Sequence, residues 1–159
     1  MQRLMEIRKF YLLIFIVCVI SLISAVYIEY IMDQKPCKLC IYQRIPYIFS
    51  IFICFFGYNY SKNFLWIYLL TLTFFLSSIL SGYHVGIENS IFSEFSGCTN
   101  NSLDITDKSK ILESLSQNMP SCKEINFKIF GLSLATINFM ISLTIGIIGI
   151  KIINYEKNR

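Results

Sequence analysis

Charged residues are scarce in this chain: Asp, Glu, Lys and Arg make up only 15% of its 159 residues. The basic residues are dispersed, without the stripe that follows a nucleic-acid backbone. Hydrophobic residues make up 55% of the chain and aromatics 16%, and the mean hydropathy is +0.57. This composition excludes an ordinary soluble domain, gives no support to a nucleic-acid-binding module, and indicates an integral membrane protein.

A signal-peptide cleavage site is also lacking after the first apolar run. Arg8 and Lys9 precede an apolar stretch over 10–28, which is about 19 residues long. That length exceeds the roughly 7–15 apolar residues of a secretory signal peptide and matches a membrane span. No small-x-small cleavage motif follows it. We therefore expect a retained first transmembrane helix.

Four apolar stretches predict four spans, at about 10–28, 43–60, 64–83 and 129–153. Each is near the roughly 20 residues that cross a bilayer as a helix. Backbone groups in lipid must pair within their own segment, so these stretches are expected to be helices. The predicted fold is all-α: a four-helix transmembrane bundle that forms a single integral membrane domain over 1–159.

Lys and Arg are biased toward one side of the predicted bundle. The termini and the turn at 59–63 are rich in basic residues, opposed only by Glu6 and Glu156, whereas the loops at 29–42 and 84–128 hold about equal numbers of both signs. The positive-inside rule then puts both termini in the cytoplasm and the two loops on the outer side of the membrane, which in a bacterium is the periplasm. The basic residues are Arg3, Arg8, Lys9, Lys62, Lys151, Lys157 and Arg159.

The cysteines follow the same division. Cys37 and Cys40 form a CxxC pair in the first outer loop, Cys98 and Cys122 lie in the second, and none lies in the cytoplasmic turn or tails. The outer side is oxidising, so disulfides form and persist there. The two remaining cysteines lie inside spans, where buried small apolar side chains are expected. They are Cys18 and Cys54.

Three interpretations of the four outer cysteines remain open on the residues alone. Two static disulfides would brace the loops. A four-thiolate zinc site usually needs a second short-spaced pair, which Cys98 and Cys122 do not form. A relay would pass electrons between the pairs, and we favour it with no metal, because a CxxC at the mouth of a membrane helix can serve a partner in the lipid.

Arg44 favours the relay. If the second helix begins near Cys40, Arg44 lies one turn further on the same face, where its charge and the helix N-terminus would stabilise a Cys40 thiolate. Pro46 leaves two alternatives: the regular helix begins near Arg44, or it begins at Cys40 and is strained. The alternative is that Arg44 has no role at the cysteines and only extends its charge to the membrane–water interface.

The long outer loop contains two amphipathic pieces, at 87–95 and 107–117. In the first, apolar residues recur at helical spacing between Glu88 and Glu94, as in a short helix that lies flat on the membrane. The second opens with Asp107, which suits a helix N-terminus. We expect short amphipathic helices here, and a partly disordered loop is the alternative for the second piece.

The run Pro36-Cys37-Lys38-Leu39-Cys40-Ile41-Tyr42-Gln43-Arg44-Ile45-Pro46-Tyr47 resembles the DsbB family of disulfide bond formation proteins. The order of spans and loops is similar too, as are the stretches Gly82-Tyr83-His84-Val85-Gly86-Ile87-Glu88 and Phe130-Gly131-Leu132-Ser133-Leu134-Ala135. The resemblance covers nearly the whole chain.

The resemblance implies a membrane thiol oxidase. Such enzymes reoxidise a periplasmic DsbA-like thioredoxin-fold oxidase and pass its electrons to membrane quinone, either ubiquinone or menaquinone. By this resemblance Cys98 forms the mixed disulfide with the partner and Cys122 exchanges with Cys37. Cys40 is then the thiolate facing the quinone, with Arg44 beside it.

His84 is the only histidine and is expected near the outer end of the third span. A neutral imidazole there can hydrogen-bond a quinone carbonyl, or it is only a polar cap of the bundle. Glu88 follows one turn later and either holds His84 or is solvated. Asn138, inside the fourth span, is interpreted as an interhelical hydrogen-bonding residue.

Two rival functions remain. A vitamin K epoxide reductase-like enzyme uses similar chemistry, but its loop cysteines precede the CxxC, whereas Cys37 and Cys40 come first here. The other rival is a non-enzymatic membrane subunit with two structural disulfides.

Overall fold

A computed structural model describes residues 2–61, 63–93, 122, 128–129 and 131–158. Four helices and one short antiparallel hairpin make up these residues. All four helices are long and apolar enough to cross a membrane, which confirms the predicted all-α transmembrane bundle. The elements are α1 (Gln2–Tyr30), α2 (Lys38–Asn59), α3 (Leu65–Glu88), β1 (Lys128–Ile129), β2 (Leu132–Ser133) and α4 (Leu134–Lys157).

Helices that are neighbours in sequence pack against each other: α1 on α2, α2 on α3 and α3 on α4. Their shared core contains large side chains with almost no exposed surface, including Tyr11, Ile14 and Phe74. The outward faces are apolar as well, for example Phe49 and Leu76. A helix that is hydrophobic all round suits a lipid surrounding, where no polar face is required.

The second helix begins earlier than the predicted span at 43–60. Cys37 has extended backbone angles, and its sulfur accepts the backbone N–H of Cys40 at 3.4 Å, as an N-cap side chain does. Pro46 therefore lies inside α2, which settles the alternatives in favour of the early start. The connection between α1 and α2 is correspondingly shorter than the predicted loop at 29–42.

The third helix extends to Glu88, beyond the predicted end at 83. Its last turn stays helical because its polar residues are buried with partners inside the protein. The surface helix predicted over 87–95 is wrong in its described part, since Ile87 and Glu88 belong to α3 and the chain then turns at Asn89 and Ser90. The segment predicted at 107–117 lies outside the described residues.

The fourth helix begins at Leu134, later than the predicted start at 129. The residues before it form the β1–β2 hairpin, which turns at Gly131 with a φ of +82°. Ser133 is the N-cap, and its hydroxyl accepts the backbone N–H of Thr136. The apolar residues at 129–133 thus form the entry to the span, outside the helix itself.

Candidate redox site

The CxxC pair lies at the N-terminus of α2. The sulfurs of Cys37 and Cys40 are 3.1 Å apart, and both are free thiols. Cys37 is buried and Cys40 half-buried. The capping geometry of Cys37 holds the two sulfurs together, because residues three apart at a helix start lie on one side of the first turn.

Cys122, which belongs to the segment between α3 and β1, lies beside this pair. It is buried, and it is disulfide-bonded, whereas Cys37 and Cys40 are free thiols. Its sulfur, the sulfur of Cys37 and a ring nitrogen of His84 all lie within 4.8 Å of one another. The structure thus brings together three of the predicted site residues that lie far apart in sequence. Cys98 lies outside the described residues.

Cys37 is the sulfur that its surroundings stabilise as a thiolate. Hydrogen bonding with Cys40 lowers its pKa most, burial opposes this, and hydrogen bonding with His84 lowers it further. The pKa of Cys37 falls from its ordinary value of 9.0 to about 4. When Cys37 and Cys40 are both free thiols, Cys37 is therefore the one that is stabilised as a thiolate. The prediction that Cys40 faces the quinone as a thiolate concerns another step and stays a prediction.

His84 is 3% exposed and lies between polar partners on α2 and α3. Its Nε2 is 3.6 Å from the Cys37 sulfur and its Nδ1 is 3.0 Å from Nε2 of Gln43. A carboxylate oxygen of Glu88 lies 3.9 Å from the same Nε2, and the other oxygen of Glu88 accepts the Ser133 hydroxyl. The expectation that Glu88 is placed to hold His84 agrees with this geometry.

A row of polar side chains continues from Gln43 into the bundle. Oε1 of Gln43 accepts Nδ2 of Asn138 at 3.1 Å, and Oδ1 of Asn138 accepts the hydroxyls of Tyr47 and Ser142. Ser142 in turn contacts Ser77 of α3 at 3.0 Å. These bonds join α2, α3 and α4 in the apolar interior, as expected for Asn138 as an interhelical hydrogen-bonding residue.

Arg44 is paired with a partner that the sequence did not suggest. Its guanidinium donates to the carboxylate of Glu29 on α1, and the side chains are 24% and 25% exposed. Arg44 therefore lies where α1 ends and α2 begins, and it joins the two helices. It does not contact the Cys40 sulfur directly in the described geometry, although both residues line one cavity.

That cavity has a volume of about 400 Å³. Its walls come from all four helices and from the connection between α1 and α2. One group of wall residues is apolar, for example Ile20 and Ala25 of α1 and Ile141 of α4. The polar group comes from the CxxC end and from the row described above. It includes Cys37, Cys40, Gln43, Arg44, Tyr47, His84, Glu88 and Asn138, and further polar wall residues are Ser21, Ser24, Glu29, Gln34, Lys35 and Ser133.

Among the described residues, Cys37, His84 and Cys122 are close enough to share a metal ion. The disulfide at Cys122 removes one thiolate ligand from this set. The prediction of a site without metal therefore stays a prediction, and the geometry is explained by sulfur exchange without one.

Sequence reasoning did not assign a role to Gln43 or Glu29. Gln43 follows Cys40 by three residues and precedes Tyr47 by four, so the three share one face of α2. An amide on the buried face of a membrane helix is itself a signal, because it needs a partner. Glu29 has no comparable signal, since its partner depends on how α1 packs on α2.

Comparisons with known proteins agree with the geometry. A family model described as "Disulfide bond formation protein DsbB" matches residues 7–152, nearly the whole chain. The chain is also 29% identical over 153 residues to a protein of Rickettsia prowazekii (strain Madrid E) that bears the name "Uncharacterized protein RP370". That alignment covers 92% of this chain and 88% of the relative.

Proposed function

Because the chain belongs to the DsbB family of disulfide bond formation proteins, we propose that it reoxidises a periplasmic DsbA-like thioredoxin-fold oxidase and delivers the electrons to membrane quinone. Family membership makes it a membrane disulfide oxidoreductase of the multi-pass inner-membrane type and confirms the resemblance. The observation that most supports the finer proposal is the approach of the Cys122 and Cys37 sulfurs inside one buried cluster.

In the first step the reduced partner attacks a Cys98–Cys122 disulfide. One partner thiolate forms a mixed disulfide with Cys98 and releases Cys122 as a thiolate; the second partner thiolate then displaces Cys98. The partner is oxidised by two electrons and the Cys98/Cys122 pair is reduced by two. Both cysteines belong to the segment that the proposed topology exposes to the periplasm.

In the second step the Cys122 thiolate attacks Cys37 of a Cys37–Cys40 disulfide. A Cys122–Cys37 bond forms, the Cys37–Cys40 bond breaks, and Cys40 leaves as a thiolate. Cys98 then displaces Cys37, which restores the Cys98–Cys122 disulfide and leaves two thiols at the CxxC. The approach of the Cys122 and Cys37 sulfurs within one buried cluster supports this exchange.

The cavity fits a quinone as the electron acceptor. Its apolar walls suit a lipid-soluble ring and tail, and Arg44 and His84 supply the few polar groups that orient a carbonyl. When bound, ubiquinone or menaquinone accepts two electrons and two protons. The protein's part is to keep Cys40 at the cavity wall, to hold Arg44 through Glu29 and to keep His84 hydrogen-bonded.

Orientation follows from the same proposal. Both termini face the cytoplasm, in agreement with the basic residues at 3–9 and 151–159. The CxxC end of α2, the last turn of α3 and the start of α4 then share the periplasmic side. This arrangement puts the CxxC and the cavity on the side where the soluble partner is found.

The test is quinone reduction by the full-length protein in detergent, with a reduced DsbA-like oxidase as the electron donor. We expect turnover in the wild type and none in Cys40→Ser, whereas Cys18→Ala serves as the matched cysteine control and retains it. Cys122→Ser cannot form the Cys98–Cys122 disulfide and should not turn over; mixed instead with the oxidised partner, its Cys98 thiolate should attack the partner's disulfide, displace one partner thiolate and leave a Cys98–partner mixed disulfide. Turnover that survives in Cys40→Ser would contradict the relay.

A further inference from the structure

The row of buried polar groups behind His84 is longer than disulfide exchange requires. Gln43 and Tyr47 are 7% and 5% exposed, and Ser142 and Ser77 are completely buried. Polar side chains inside a membrane bundle are costly unless they are paired, and they usually have a functional reason. The row ends at the Cys37 sulfur, which lies beside Nε2 of His84. The direction of its hydrogen bonds therefore decides whether that sulfur faces an N–H group or a lone pair.

The direction can be followed from the interior outward. The Tyr47 and Ser142 hydroxyls donate to Oδ1 of Asn138, which turns the amide N–H of Asn138 toward Oε1 of Gln43. The amide N–H of Gln43 then faces Nδ1 of His84 at 3.0 Å. A ring nitrogen that accepts is unprotonated, so in this orientation the ring proton of His84 is on Nε2.

The opposite orientation would reverse every amide and put the proton on Nδ1, leaving Nε2 as an acceptor. Glu88 decides between the two orientations. Its Oε1 lies 3.9 Å from Nε2, and its other oxygen accepts the Ser133 hydroxyl, as a carboxylate does. A negative charge beside Nε2 favours the proton on that atom and disfavours a lone pair there.

We propose that Gln43 and Asn138 are positioning residues of the thiol exchange, which fix His84 in the Nε2-protonated tautomer so that this N–H points at the Cys37 sulfur. The inference rests on the proposed function and deepens it. In that function Cys37 is the leaving group when Cys98 attacks the Cys122–Cys37 disulfide. A leaving thiolate that receives a hydrogen bond leaves faster.

Other groups also act on the Cys37 sulfur and have to be kept constant in any test. On its own helix Cys40 offers its thiol and its backbone N–H. Glu88 faces from α3, and Cys122 lies in the same cluster as a disulfide. Arg44 is paired with Glu29, and Ser133 at the start of α4 is bonded to Glu88.

The test measures the apparent pKa of Cys37 without quinone or partner, so it does not depend on the proposed electron transfer. Full-length protein with the CxxC reduced is alkylated at a series of pH values, and mass spectrometry separates modification at Cys37 from modification at Cys40. We expect Gln43→Met, a change of similar volume, to raise the Cys37 pKa by about one unit, a tenfold loss of thiolate below that pKa. Asn138→Leu should raise it by less, because it acts through Gln43.

A second comparison separates positioning from general damage to the fold. In a His84→Ala background, Gln43→Met should cause no further shift, because its effect passes through the imidazole. Ser50→Ala is the matched control: among the described side chains Ser50 has no hydrogen-bond partner, and it lies buried on the same helix. It should leave the Cys37 pKa unchanged. An unchanged pKa in Gln43→Met, or the same shift with and without His84, would overturn the proposal.

Discussion

Arg44 of α2 and Glu29 of α1 form an ion pair at the wall of the cavity that Cys40 and His84 also line. Both side chains are about a quarter exposed, so the pair is not a buried structural bridge. Its main effect is to keep the Arg44 guanidinium beside the cavity, because a guanidinium with a fixed carboxylate partner loses much of its rotational freedom.

The first prediction concerns that guanidinium. Arg44→Ala should raise the quinone KM about tenfold or more, since a hydrogen bond to a charged group contributes roughly 1.5–3 kcal/mol. Glu29→Gln should raise it less, because Arg44 remains but is no longer held. Steady-state quinone reduction measures both, with Lys151→Ala as the control for a lost positive charge at the other end of the bundle. An unchanged KM in Arg44→Ala would show that the ring binds elsewhere.

The second prediction concerns pH. The Cys37 pKa is lowered to about 4, first by hydrogen bonding with Cys40 and then by His84. Its alkylation rate should therefore stay nearly constant from pH 8 to about pH 5 and fall only toward pH 4. A folded-state pKa below the unfolded one stabilises the reduced protein fully above about pH 9, and this stabilisation is lost as pH falls toward about 4. A rate that drops tenfold per pH unit below pH 8 would contradict the assignment of the thiolate to Cys37.

The third prediction concerns the two cysteines inside the spans. Cys18 and Cys54 are free, 0% and 1% exposed, and packed in the core with Tyr11. The double variant Cys18→Ala/Cys54→Ala should keep quinone reduction near the wild-type rate, because neither thiol lines the cavity. Alkylation should reach both only after unfolding. Loss of turnover in a folded double variant would add them to the electron path.

The fourth prediction concerns close helix contacts at α4. A Cβ added at Gly149 would lie 2.3 Å from Oγ1 of Thr71, whereas one at Gly146 would lie 3.3 Å from a ring carbon of Phe75. Thr71 has little freedom to move, since its hydroxyl is bonded to the Ile67 carbonyl at 2.7 Å. Gly149→Ala should therefore lower the free energy of unfolding by about 1–3 kcal/mol, and Gly146→Ala by much less. Thermal unfolding in detergent compares them, and equal melting temperatures would contradict the packing described here.

The helices could be predicted because lipid imposes a simple rule on composition and length. The helix ends near the CxxC pair could not be predicted, for reasons visible at His84 and Glu88. Both are polar and indicate the end of a span, yet His84 is buried and Glu88 half-buried in α3 because Cys37, Gln43 and Ser133 serve as their partners. A tertiary partner has no signature in the local pattern of hydropathy.

The site shows the same division. The two cysteine pairs and Arg44 are recognisable from their positions and spacing, and the resemblance adds the exchange between Cys122 and Cys37 and most of the support for His84. The sequence pattern by itself does not show that Cys122 approaches Cys37. Nor does it show which hydrogen bonds connect Gln43 to Asn138, because these contacts join elements far apart in the chain. The Cys98 prediction stays a prediction.

The hydrogen bond of Ser133 to Glu88 also bears on how closely Cys122 is held to Cys37. Its hydroxyl bonds Glu88, which lies 45 residues earlier in the chain, and so connects the end of α3 to the start of α4. The two ends of the intervening segment therefore lie close together. Lengthening such a chain is inexpensive, about 0.6 kcal/mol for each doubling. Cys122, however, lies close in sequence to Lys128 of the hairpin, and this short tether keeps its effective concentration at Cys37 high. Added length before Cys122 should be tolerated far better than added length after it.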